Sequence, residues 1–354
     1  MVDFDFRIKT KLIAILKKSI MKTKNIVHYS FHLIAILLLV GLTSCKENKK
    51  TAEANTEQSE KEVAEVEPFF KLSLAQWSIN KMIRNDKVDP YSFAEKAKKL
   101  GFTGLEYVSQ LYPADLKDNE YSEAAMAKFV EKSNAEAKKH GMQNVLIMID
   151  GQGNLAVSDN KERRVAVERH FKWVDAAAAM GCHAIRVNLA GSDVPEEWKK
   201  NSVDGLTKLA TYAKTKNINI IVENHGGLSS NGAMLAEVME MVDMDNCGNL
   251  PDFGNFCIRR NDPNDYGSGC AEMYDIYKGV TELMPRAKAV SAKAHEFDAD
   301  GNETEIDYVK MLQIVKDAGY TGYIGVEYEG SELGEEAGII ATKDLMLKAA
   351  TQMK

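Results

Sequence analysis

The feature that most constrains this chain is a repeated unit in which an amphipathic stretch stops at a glycine or polar turn and a short β-branched run follows. It recurs as "KKLGFTGLEYV" from residue 98, "KKHGMQNVLIMI" from 138, "AAMGCHAIRVNL" from 178, "AKTKNINIIVEN" from 213 and "KDAGYTGYIGVEYEG" from 316. Gly101, Gly141 and Gly181 are spaced forty residues apart. Glycine past a helix end permits the left-handed conformation that returns the chain to a sheet. Counting such units gives strands near 72–79, 104–108, 144–150, 184–190, 218–223, 248–253, 288–295 and 322–328. Helical patterns follow near 90–100, 121–140, 162–180, 196–216, 231–245, 270–284, 306–318 and 335–352. Eight alternations imply an α/β fold, a single closed (β/α)8 barrel over residues 68–354. A doubly wound open sheet is the alternative, but it needs fewer strands, and no G-x-G-x-x-G loop follows the first one.

The residues before 68 read differently. Met21 opens a segment in which Lys22 and Lys24 precede the apolar run Phe31 to Leu42, too short to span a bilayer comfortably and patterned as a signal peptide. Leu42-Thr43-Ser44-Cys45 resembles a bacterial lipobox, which would make Cys45 a lipidated first residue of an exported, membrane-anchored lipoprotein on the periplasmic or cell-surface side. An uncleaved membrane anchor is the other reading. Residues 1–20 precede this better start and suggest an over-extended reading frame, giving 1–45 as signal segment. Residues 46–67, polar and without aromatics, read as a tether.

Residues 1–45 hold seven of the 45 Lys and Arg and two of the 52 Asp and Glu, so the remainder carries a formal charge near −12. That acidity argues against nucleic acid as a partner. Beyond Cys45, Cys182, Cys247, Cys257 and Cys270 lack Cys-x-x-Cys metal spacing and read mostly as small buried residues, although an oxidising compartment would let some pair.

In a (β/α)8 barrel the C-terminal strand ends build the active site, so polar residues there invite a functional reading. In "IIVENHGG", the apolar run 220–222 ends in Glu223, Asn224 and His225. A carboxylate so placed costs several kcal/mol to desolvate unless a cation or hydrogen bonds compensate it. The sixth strand offers Asp252 and Asn255; the seventh places Ser291, Lys293 and His295 on one face by its period of two; the eighth offers Glu327, with Glu329 beyond. Three carboxylates and an imidazole converging from consecutive strands would form a site for one divalent cation, Mn, Co, Mg or Zn. Ion pairing of Glu223 with Lys293 or Arg186, and of Lys293 with Glu327 or Asp252, is the structural reading of the same residues. Arg186 and Asn188 on the fourth strand, Glu106 on the second, His225, and Gln76 and Trp77 on the first are candidate substrate contacts; Trp77 would suit a sugar face or the core. His140, His170 and His183 read as structural.

The stretches "VENHGG", "LPDFGN", "SAKAHEFDADG" and "GYIGVEYEG" make residues 70–350 resemble the xylose-isomerase-like TIM barrels, which include sugar-phosphate isomerases, ketose 3-epimerases and related keto-sugar enzymes. The resemblance implies one divalent metal held by Glu223, Asp252, His295 and Glu327. Two departures stand out. Asn255 occupies a position where the family often has histidine. The family's strand-seven pattern, His-x-Lys-Asp, aligns Ser291 with the histidine when Lys293 is kept in register, leaving His295 two residues late.

The implied chemistry is abstraction of a proton next to a metal-bound carbonyl, through an enediolate, with Glu223 and Glu327 as proton carriers and Lys293 beside the developing oxyanion. A sugar isomerase or epimerase acting on a small-molecule sugar is the first expectation. A lyase or hydratase of 3-keto-glycosides would use the same residues. A non-catalytic sugar-binding lipoprotein would be expected to have lost one of the acids, and all three are present. A DNA-repair endonuclease on this barrel would need more histidines and a basic groove.

Overall fold

Helix ends are set where the glycine spacing places them. Gly141 (φ 64°) and Gly181 (φ 71°) adopt the left-handed conformation directly after helices Glu123–His140 and Asn160–Met180, and each shares its one amide N–H between two carbonyls of the last helical turn. The starts are set by side-chain caps: Ser122, Asp159, Asn231, Asp275 and Asp307 each accept an N–H from the first turn of the helix that follows. The computed structural model describes residues 67–353 apart from 263, 264 and 266. The signal segment, Cys45 and most of the tether lie outside those residues.

Ten strands are described: β1 (Lys71–Ala75), β2 (Gly104–Val108), β3 (Gln143–Met148), β4 (Ala184–Val187), β5 (Asn219–Glu223), β6 (Cys247–Leu250), β7 (Cys257–Arg260), β8 (Cys270–Met273), β9 (Val290–Ala294) and β10 (Tyr323–Tyr328). Eight form one parallel sheet in the order β6-β5-β4-β3-β2-β1-β10-β9. Its two ends meet through parallel bridges between Asn249 and Ala287 and between Asp252 and Ser291. Amide bonds from Lys288 to Asn249 O, Ser291 to Pro251 O and Phe253 to Ser291 O run along that seam. The result is a nearly closed TIM barrel, each barrel strand followed by a helix on the outside, as the repeat predicts. No helix among the described residues is long and apolar enough to cross a membrane.

Three local differences from the sequence expectation follow from local chemistry. The first strand stops at Ala75 rather than 79, because Gln76–Ile79 turn into a short 3-10 helix that Gln76 pins in place: its amide donates to Pro90 O and Tyr112 Oη and accepts from Val108 N. The helix expected from 270 begins at Ile276, since residues 270–273 pair antiparallel with 257–260 as a hairpin outside the barrel. Of the four barrel cysteines, Cys182 and Cys247 are buried thiols as read, whereas Cys257 and Cys270 join in a disulfide across that hairpin.

Inside the barrel, Ser73, Gly325 and Ser291 are in register across β1, β10 and β9. Gly325 is required there: a Cβ would lie 2.4 to 2.6 Å from the Glu106 carboxylate, which fills the space instead.

Candidate active site

The acids at the strand ends do converge. Glu223, Asp252 and Glu327 each bring a carboxylate oxygen within 4.8 Å of the others, all three side chains being buried. Unit charges at that separation repel by roughly 3 kcal/mol per pair even at an effective dielectric constant near 20, so the group needs positive charge or protons. Two cations serve it in part. Lys293 Nζ lies 2.7 Å from Glu329 Oε1, 3.3 Å from Glu327 Oε2 and 3.8 Å from Asp252 Oδ2. Arg186 Nε lies 2.8 Å from Glu223 Oε2, and Arg186 Nη1 donates to Asp150 Oδ1 at 3.1 Å. Asp150, Glu223, Asp252, Glu327 and Glu329 thus share two cations.

The hydrogen bonds leave gaps that a cation would fill. Asp252 Oδ1 accepts from the amides of Gly254 and Asn255, and Glu223 Oε1 accepts from Asn255 Nδ2 at 2.9 Å. Glu223 Oε2 and Arg186 Nε are close, yet the N–H is not aligned on the oxygen and neither atom makes a hydrogen bond. Ser291 Oγ lies 2.6 Å from Asp252 Oδ2 and 3.1 Å from Glu327 Oε2, but its one proton can serve only one carboxylate at a time. A buried acceptor without a donor, and two carboxylates sharing one proton, are the conditions a divalent cation with oxygen ligands would relieve. The residues present fit such a metal.

Titration follows the same charges. Burial lifts the Glu327 carboxyl to about 8 although Lys293 opposes the rise, and burial likewise lifts Asp252 against Lys293. For Glu329 and Asp150 burial pushes upward too, but Lys293 and Arg186 respectively outweigh it and hold both below the ordinary range. Burial disfavours the Lys293 ammonium, and the surrounding acids more than reverse this.

A cavity of about 1020 Å³ opens above these residues. Trp77, Arg186, Asn188, His225, Asn255, His295 and Glu327, all expected at the site, line it. His295 lies just beyond the end of β9 and outside the group of three acids; Ser291 is the β9 side chain that touches that group. Gln76 spends its amide on the β1 turn, and Glu106 is buried against Ser73, whose hydroxyl donates to it at 2.6 Å. Neither lines the cavity. Burial raises Glu106 to about 7, and its Oε2 has no hydrogen-bond partner. His170 packs in its helix with Nδ1 2.7 Å from Ala166 O.

Asp150 was not among the residues expected at the site. It binds both Arg186 and Asn188, the latter through Nδ2 at 3.0 Å, and lines the cavity. Its signal was present: "VLIMID" ends an apolar run in an acid just as "IIVE" does.

An eight-stranded α/β barrel with a buried acid cluster at its C-terminal mouth defines a class of barrels built to act on a small ligand there. The chain belongs to the xylose isomerase-like TIM barrel family, whose profile matches residues 94–349. No curated protein matches it by sequence. Among solved structures similar in fold are the IolI protein with a bound zinc atom, at 17% identity and a TM-score of 0.59, covering 80% of this chain and 99% of that one. L-ribulose 3-epimerase is similar at 14% identity and 0.59, over 80% and 96%. The 3-keto-D-glucoside 4-epimerase YcjR from E. coli is similar at 15% identity and 0.55, over 78% and 98%.

Proposed function

We propose that the protein is a divalent-metal-dependent sugar isomerase or epimerase. The observation that carries this reading is the buried convergence of Glu223, Asp252 and Glu327, with Glu223 Oε2 lacking a hydrogen-bond partner. These three carboxylates would hold the metal, with the Ser291 hydroxyl beside Asp252 and Glu327. When bound, the cation would polarise the substrate carbonyl and lower the cost of removing the neighbouring C–H proton. Glu223 and Glu327 stand on β5 and β10, separated by β6 and β9, so one can take the proton and the other return it to the opposite face. Lys293, held at 2.7 Å by Glu329, would stabilise the negative charge that develops on the substrate oxygen. Arg186, Asn188 and His225, which line the cavity, would grip substrate hydroxyls. Similarity in fold to sugar epimerases agrees with this reading.

A lyase or hydratase of 3-keto-glycosides would begin with the same proton transfer and expel a glycosidic oxygen from the next carbon. The large cavity favours keeping it as a second reading. We further propose that the chain works outside the cytoplasm, anchored through lipid on Cys45; the Cys257–Cys270 disulfide agrees with an oxidising compartment.

The deciding experiment is metal analysis of the purified protein and of Asp252→Ala. About one equivalent of Mn, Co, Mg or Zn in the first and none in the second is the expected result. Absence of metal after incubation with Mn and Co would overturn the reading and make the acids an ion-pair network around Lys293 and Arg186.

A further inference from the structure

The hairpin β7–β8 is not part of the barrel, yet it continues directly from the acid cluster. Asn255, which donates to Glu223 Oε1, is two residues before β7. The base of the hairpin is fixed: Phe256 is fully buried, Gly279 packs so closely on its ring that a Cβ would lie 2.1 Å from it, and Tyr274 N donates to Phe256 O. Beyond the base are two antiparallel strands of four residues, the first of which, β7, packs on the Gly227–Ser230 turn. An isolated two-stranded ribbon is marginal in water, and here the Cys257–Cys270 disulfide closes it.

This ribbon walls the cavity. Cys257, Arg260, Gly269, Cys270 and Met273 line it, as does Trp77, which follows β1. Met273 faces the cavity with 58% of its surface exposed, an unbranched apolar side chain able to fit varied shapes. Pockets of about 300–1,000 Å³ hold drug-sized ligands, so 1020 Å³ exceeds what one monosaccharide on the acid cluster requires. The hairpin therefore adds wall beyond the strand ends, apolar at Met273 and the disulfide and cationic at Arg260.

Resting on the sugar reading above, we propose that the disulfide-closed hairpin forms a second subsite that takes the apolar face of another pyranose ring, and that the substrate is a sugar already glycosylated rather than a free monosaccharide. The strand-end acids, which would hold the cation, serve one ring; Met273 and the disulfide hold the next.

The test is calorimetric binding, with Mn present, of a set of free ketohexoses and of disaccharides that carry the same ketohexoses, such as D-fructose against turanose. The expected result is that at least one disaccharide binds roughly tenfold or more tightly than its own ketohexose. The Cys257→Ser, Cys270→Ser double variant should lose that advantage, with ketohexose binding and metal content unchanged. Because opening the disulfide could loosen the whole ribbon, Met273→Ala, which keeps it closed, must show the same selective loss. No disaccharide advantage, or equal weakening of both ligands in the variants, overturns the subsite while leaving the metal-site reading intact. Binding of neither ligand class by the metal-loaded protein overturns the sugar reading and the subsite together.

Discussion

Ser291 Oγ lies 2.6 Å from Asp252 Oδ2 and 3.1 Å from Glu327 Oε2, on a β9 position one bridge away from Asp252 itself. The hydroxyl is the link between two carboxylates that belong to strands on either side of β9. Ser291→Ala removes that link without adding bulk. The expected outcome is retention of one metal equivalent with affinity weakened roughly tenfold, the usual cost of losing a group that orients a ligand. Titration of the apoprotein with Mn measures it; unchanged affinity would show that the hydroxyl does not position these acids around a metal.

Arg186 is buried between Asp150 and Glu223, and the hydrogen bond that aims its guanidinium goes to Asp150. Asp150→Asn keeps the size and one acceptor but removes the charge, and also changes the partner of Asn188. Loss of one member of a buried pair costs several kcal/mol when the other stays buried. With the cavity opening beside Asp150, some of that is relieved by water, and we expect kcat/KM to fall about a hundredfold with metal content unchanged. Equal activity would remove the Asp150–Arg186 pair from substrate positioning.

The barrel was legible because its signal is periodic: eight apolar runs separated by capped helices leave few topologies, and the acids at strand ends follow from knowing which end of the strand is the mouth. What was hidden depends on contacts across the sequence. The antiparallel hairpin after β6 carries no apolar alternation; its strands are mostly exposed or half-buried, so nothing marks 257–260 as a strand and 270–273 read as the front of a helix. Gln76 has the composition of a sugar ligand, but its amide is consumed by Pro90, Tyr112 and Val108, which only the fold brings near. Glu106 likewise sits at a strand end in sequence, yet the absence of a side chain at Gly325 draws its carboxylate into the barrel rather than toward the cavity. The register ambiguity between Ser291 and His295 has a geometric counterpart: an inward hydroxyl within the strand and an imidazole beyond its end.

Glu223 and Glu327 are each assigned two tasks, holding the cation and carrying a proton. Glu223→Gln and Glu327→Gln preserve shape and remove both. Each should lower turnover by at least about a thousandfold, since general acid-base catalysis alone supplies roughly 10²–10⁴. Steady-state rates on whichever ketose the metal-loaded protein accepts provide the measurement, with circular dichroism to show an intact fold. Near-normal activity in either variant would take that residue out of the mechanism.

His170 offers a pH test on a residue outside the group of three acids. Burial in its helix depresses the imidazole to about 4, although the contact with Ala166 O and the charge on Asp150 work the other way. Unfolded, the same group titrates near 6.5. Between those values the unfolded chain binds a proton that the folded one does not, so stability is full above about 6.5, declines as pH falls toward 4, and loses nothing further from this residue below that. The difference of about 2.5 units corresponds to roughly 3 kcal/mol. His170→Gln, which cannot take up the proton in either state, should flatten the fall in urea midpoint between pH 6.5 and 4 relative to the unsubstituted protein, whatever its stability at pH 7. Parallel pH curves for the two proteins would show that His170 is not held neutral by the core.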